Sequence, residues 1–68
     1  MNISHRIKEL RKDRSLTQVE LAQLVGCSQP MIVLWESGKC EPTATAILKL
    51  SEALECSTDY LLGKTDIY

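Results

Sequence analysis

Few side chains in this chain could do covalent chemistry, and they are poorly spaced for it. His5 is the only imidazole, and no Ser or Cys stands at a helical spacing from it that would make a nucleophile–base dyad. Cys27, Cys40 and Cys56 form no Cys-x-x-Cys pair, and with His5 they match no zinc framework. An odd number of thiols cannot close into a full disulfide set, so the three read as small buried residues in a reduced compartment. There is no glycine-rich phosphate loop and no carboxylate pair placed for acid–base work. No enzymatic activity, cofactor or metal is expected. What remains is recognition chemistry. The amides of Gln18 and Gln29 each carry a donor and an acceptor on one planar group. Just beyond the second of them runs an apolar stretch, Met31 to Trp35.

The residues between Gln18 and Ser37 say how such groups are held. Ala22 lies four before Gly26, and the β-branched Ile32 lies six after it. Two helices crossing at a steep angle need a small side chain at their closest approach and a residue free to take φ > 0 at the bend. They also need an apolar plug from the second helix. Ala22, Gly26 and Ile32 meet those needs in that order. The usual task of such a unit is to lay its second helix in the major groove of DNA.

Composition and charge bound the reading. At 68 residues and 44% hydrophobic the chain is one small globular domain, 1–68, near the lower limit for an unaided core. Its longest apolar run is five residues, far short of a bilayer span, and Met1 to Lys12 is amphipathic and unlike a secretory signal. A cytoplasmic location follows as the expectation. The net charge of −1 is unevenly placed. Residues 1–39 hold six bases (Arg6, Lys8, Arg11, Lys12, Arg14, Lys39) against four acids, while residues 40–68 hold two bases against five acids. A polyanion would meet the first part.

No strand-like alternation occurs, and the chain scans as five helices, an all-α fold. Ile3, Ile7 and Leu10 make one buried stripe with Arg6, Lys8, Glu9, Lys12 and Asp13 facing away. Thr17 opens the second helix with Glu20 three residues on, a capping box; Leu21, Leu24 and Val25 carry its inner face and Gly26 ends it. Ser28 caps the third helix with Pro30 in its first turn, and Gly38 stops it. Thr43 caps a fourth helix that buries Ile47, Leu50 and Leu54. Ser57 caps a short fifth, Thr58 to Leu62, in which Leu61 closes the core. Residues 64–68 have no periodicity and are expected to fray.

These marks together resemble a known family. Ile-Lys-Glu-Leu-Arg-Lys (7–12), Leu-Thr-Gln-Val-Glu-Leu-Ala (16–22), Val-Gly-Cys-Ser (25–28), Ile32, Trp35-Glu36-Ser-Gly38, Glu41-Pro42 and Ala53 to Leu62 are similar to the Xre/Cro/CI-type helix-turn-helix. That is the lambda-repressor-like fold of phage repressor DNA-binding domains. The resemblance covers about residues 3–63 and implies that Gln29, Pro30, Val33 and Leu34 are base-reading positions, with Met31 at their margin. It implies phosphate contacts from Thr17 and Gln18, more weakly from Lys39, Thr43 and Arg14, and an ion pair of Arg11 with Glu36 tying the first helix to the end of the third. Two departures stand out: Glu55 where relatives often have Gly, and apolar Val33 and Leu34 where most relatives are polar.

Each implied reader has its own chemistry. A Gln amide pairs bidentately with adenine N6 and N7, so Gln29 carries a hydrogen-bond code. Val33 and Leu34 neither donate nor accept; they pack on thymine methyls and penalise base edges whose polar atoms they would leave unpaired. The expected partner is double-stranded DNA with an A·T-weighted palindromic operator, bound by a homodimer acting as a transcriptional regulator, a repressor in particular. The dimer surface implied by resemblance is Cys56 to Tyr60, with Ile67 and Tyr68. Five consecutive apolar residues also suit a protein-binding surface, so an antitoxin-type or coactivator module on the same fold stands as the alternative.

Overall fold

The computed structural model describes residues 3–67. Five helices follow one another: α1 (Ile3–Asp13), α2 (Gln18–Val25), α3 (Gln29–Ser37), α4 (Ala44–Ala53) and α5 (Thr58–Leu61). No strand occurs among the described residues, and the fold is all-α as expected. None of these helices is long and apolar enough to cross a membrane.

One core serves all five. Ile7 and Leu10 of α1, Leu21 of α2, Ile32 of α3, Leu50 of α4 with Leu54 at its C-cap, and Leu61 of α5 are fully buried together. Ile3, Ala22, Val25 and Trp35 complete the buried hydrophobic set. α3 packs against both α1 and α2, so the orientation of its outer face is fixed from two sides.

The helix ends are where the sequence chemistry is most direct. The Thr17 hydroxyl accepts from the Glu20 N–H at 3.1 Å while the Thr17 N–H donates to Glu20 Oε1 at 2.8 Å, closing the capping box. Thr43 and Ser57 each accept from the N–H three residues on, of Ala46 and Tyr60. Gly26 takes φ +82° at the bend between α2 and α3. Glu55 takes φ +55° after α4, the conformation its missing glycine would have held more easily. There the Cys56 N–H donates to the Ser51 carbonyl at 3.0 Å and the Glu55 N–H to the Glu52 carbonyl at 3.3 Å, a Schellman closure built without glycine.

Several expectations need correcting. Leu24 does not belong to the inner face of α2; it is 60% exposed. Leu21, Ala22 and Val25 set the buried direction, and at about 100° per residue Leu24 falls roughly 110° away from its centre. Ile47 is only half-buried. Ser28 stands at the cap of α3, but its hydroxyl makes no capping bond. The three thiols are free but not uniformly buried: Cys27 and Cys56 are half-buried and Cys40 is exposed.

Arg6 does not face away; it reaches across to the segment after α5. Arg6 Nη1 donates to the Tyr60 and Thr65 carbonyls at 2.7 Å each, and Nη2 meets Asp66 Oδ1 at 2.8 Å. Its guanidinium also stacks 4.1 Å from the Tyr60 ring centroid. One α1 side chain thus pins the segment through Asp66, while Ile67 is 80% exposed and Tyr68 lies outside the described residues.

Candidate nucleic-acid interface

The outer face of α3 follows from what its inner face must do. Ile32 and Trp35 are drawn into the core, three residues apart on one side of the helix. The opposite side is left with Pro30 exposed, Val33 41% exposed and Leu34 37% exposed. Gln29 is half-buried at the first helical position, and Met31 is half-buried at the margin. Among the described residues no element roofs this face: Pro30, Val33 and Leu34 stay exposed.

Gln29 is held from the side. Its Nε2 donates to Gln18 Oε1 at 3.1 Å, and Gln18 Nε2 donates in turn to Glu36 Oε1 at 3.2 Å. Glu36 is the partner of Arg11, Nε to Oε2 at 2.6 Å and Nη2 to Oε1 at 3.1 Å. The remaining Arg11 donor, Nη1, reaches the Leu16 carbonyl at 2.8 Å. The ion pair is 11% exposed on the Arg side chain and 4% on the Glu. A continuous chain of hydrogen bonds therefore runs from the start of α3 across the start of α2 to the end of α3 and back to α1.

The remaining predicted positions are less closely joined. Thr17 sits at the N-terminus of α2 beside Gln18, its hydroxyl and N–H already engaged by Glu20. Lys39 and Thr43 are exposed on the connection between α3 and α4. Arg14 is not with them. Its Nε donates to the Leu54 carbonyl at 2.6 Å and its Nη2 to the Glu55 carbonyl at 3.2 Å, so its guanidinium closes the end of α4. A cation satisfies the unpaired carbonyls at a helix C-terminus better than a sequence reading of loop position suggests.

Sequence reasoning missed two features. The link from Gln18 to Glu36 joins residues 18 apart and has no local signal; only knowing that both helices start or end at one corner would have found it. A shallow cleft of about 420 Å³ lies between α2 and α4, lined by Leu24, Gly26, Lys49, Glu52 and Ala53 among others, because Leu24 points outward.

The profile of the helix-turn-helix family matches residues 7–61. The chain is 42% identical over 60 residues to repressor protein C2 of Salmonella phage P22, covering 88% of this chain and 28% of that protein. It is 36% identical over 62 residues to the transcriptional regulator DicA of Escherichia coli K12, covering 91% and 46%. The crystal structure of the P22 c2 repressor in complex with a synthetic operator superposes with a TM-score of 0.86 at 39% identity, covering 90% of this chain and 92% of that one. The chain spans about a quarter to a half of the length of these two relatives. The match over most of its length makes this chain a member of the helix-turn-helix family.

Proposed function

We propose that this domain binds double-stranded DNA sequence-specifically as a cytoplasmic transcriptional regulator, a repressor in particular, with α3 in the major groove. The observation that carries the reading is the outer face of α3: Pro30, Val33 and Leu34 open to the surroundings and Gln29 braced at its leading edge. The likeness to a repressor solved on an operator supports the same reading.

In this reading Gln29 addresses adenine, Val33 and Leu34 pack on thymine methyls, and Pro30 abuts the groove wall. Thr17, Gln18, Lys39 and Thr43 meet phosphates, while Arg14 is assigned to the end of α4 instead. A domain 28 Å in its longest extent reads only a few base pairs. Useful specificity therefore calls for a homodimer on a palindrome, with two reading helices about 34 Å apart. The surface from Cys56 to Tyr60, helped by Ile67 and Tyr68, is the dimer face that the resemblance implies.

The test is titration of operator-like and scrambled duplexes at two salt concentrations. Preference for one sequence together with a falling affinity in salt supports the reading. Equal, weak binding to both would transfer the apolar face to the alternative, a protein-interaction module.

A further inference from the structure

We infer that Glu36 sets the donor and acceptor order of the Gln29 amide, and thereby makes adenine, and not guanine, its matching base. The inference rests on Gln29 being a base reader, as proposed above, and deepens that reading by naming the residue that gives it selectivity.

A primary amide is ambivalent. Its nitrogen donates two hydrogens and its oxygen only accepts, and rotation by half a turn exchanges the two ends. A carboxylate has no such freedom, because it can only accept. Glu36, held at two points by Arg11, therefore demands the nitrogen end of Gln18, which it receives at 3.2 Å. The oxygen end of Gln18 must then face the other way, and it meets Gln29 at 3.1 Å. That oxygen can accept only from the nitrogen of Gln29. The order at Gln29 is thus dictated from Glu36 by two successive exclusions.

The consequence appears at the outer end. One N–H of Gln29 is engaged by Gln18, leaving one N–H and the whole Oε1 for a base. Adenine offers N7 as an acceptor and the N6 amino group as a donor, which complements that pair. Guanine offers two acceptors, N7 and O6. Against guanine, Gln29 would have one donor for two acceptors and would set its oxygen against O6. An unbraced glutamine could turn both N–H groups outward and tolerate guanine; a braced one cannot. Glu36 is thus a positioning residue acting through Gln18, beyond its role in the ion pair.

The experiment is selection from one random-sequence duplex library with the wild-type domain and with Gln29→Ala, Gln18→Met and Glu36→Gln. Gln29→Ala identifies the base pair that Gln29 reads, as the position whose preference disappears. At that position the wild type should favour adenine over guanine by about tenfold or more, within the range of a good bidentate pair. Gln18→Met leaves the Arg11–Glu36 pair intact, so it tests the relay in a domain with its ion pair in place. It should cut the ratio to about threefold or less even as affinity for all sequences falls. Glu36→Gln presents either amide end to Gln18 and should relax the same position. A purely structural role would lower affinity evenly and leave base frequencies unmoved. That result, or an adenine preference retained in both Gln18→Met and Glu36→Gln, overturns the inference. If Gln29→Ala alters no position, it is the underlying assignment of Gln29 as a reader that falls.

Discussion

Arg11 and Glu36, 25 positions apart, meet through two parallel N–H to oxygen bonds of 2.6 and 3.1 Å. This fork joins the last turn of α1 to the last turn of α3, and so holds the outer face of α3 in place. A buried pair contributes little net stability against an apolar replacement, but loss of one partner strands the other. Glu36→Ala should therefore destabilise the domain by about 3–5 kcal/mol, measured by urea denaturation. A loss below about 1 kcal/mol would show that Arg11 finds water or another acceptor without cost.

Glu55 occupies the left-handed region with φ +55°, which costs a residue with a Cβ about 1 kcal/mol or more. Its carboxylate is 78% exposed and 3.8 Å from Arg14, an arrangement worth little. Part of the relief is offset by the greater freedom of glycine in the unfolded chain. Glu55→Gly should still raise stability by about 0.5 kcal/mol and increase the melting temperature. A lower melting temperature would mean that the side chain, and not the backbone, holds that turn.

Arg6 joins the segment after α5 to α1 through hydrogen bonds. Replacing it with Met keeps the apolar stem and removes three hydrogen bonds, two of them to backbone carbonyls. Stability should fall by about 1–3 kcal/mol, and residues 64–67 should become markedly more mobile by NMR relaxation. An unchanged segment in Arg6→Met would place its anchorage elsewhere.

The three thiols should separate by reactivity. Burial raises the Cys27 thiol above its ordinary range, and burial raises Cys56 against the lowering influence of nearby Arg14. Because both are raised on folding, their neutral forms favour the native state below the ordinary thiol range. That contribution is lost as pH rises through the raised values. At pH 8 one thiol, the exposed Cys40, should react promptly with a disulfide reagent, and the other two slowly. Prompt reaction of all three in the native domain would contradict the burial described.

Much of this was legible in the chain because punctuation is local. The Thr17–Glu20 box, the bend at Gly26 and the inward Ile32 all follow from residues within one or two turns of each other, and the structure has each of them. The unusual turn at Glu55 was also visible, as a position where glycine was missing. What escaped was set by distant partners. Arg6 reads as a solvated helix residue until Tyr60 and Thr65 are brought beside it, and Arg14 reads as a free cation until the end of α4 arrives. Leu24 was misplaced because an eight-residue helix samples its inner stripe too briefly for spacing alone to fix the centre.

The proposed reading by apolar Val33 and Leu34 predicts a modest electrostatic component. With about four phosphates neutralised per subunit, log affinity against log salt should slope by roughly −3 to −4 per subunit. Replacing a thymine beneath Val33 or Leu34 by deoxyuridine removes one methyl and should weaken binding by about fourfold. No response to that methyl would remove Val33 and Leu34 from the contact.

The most direct measurement is in vitro selection of duplexes from a random pool by the intact domain. Enrichment of an inverted repeat, its half-sites A·T-weighted and centred about one helical turn apart, is the predicted result. Recovery of a pool no different from the input would contradict it, because an open, braced α3 face that sorts no sequence is not a reading surface.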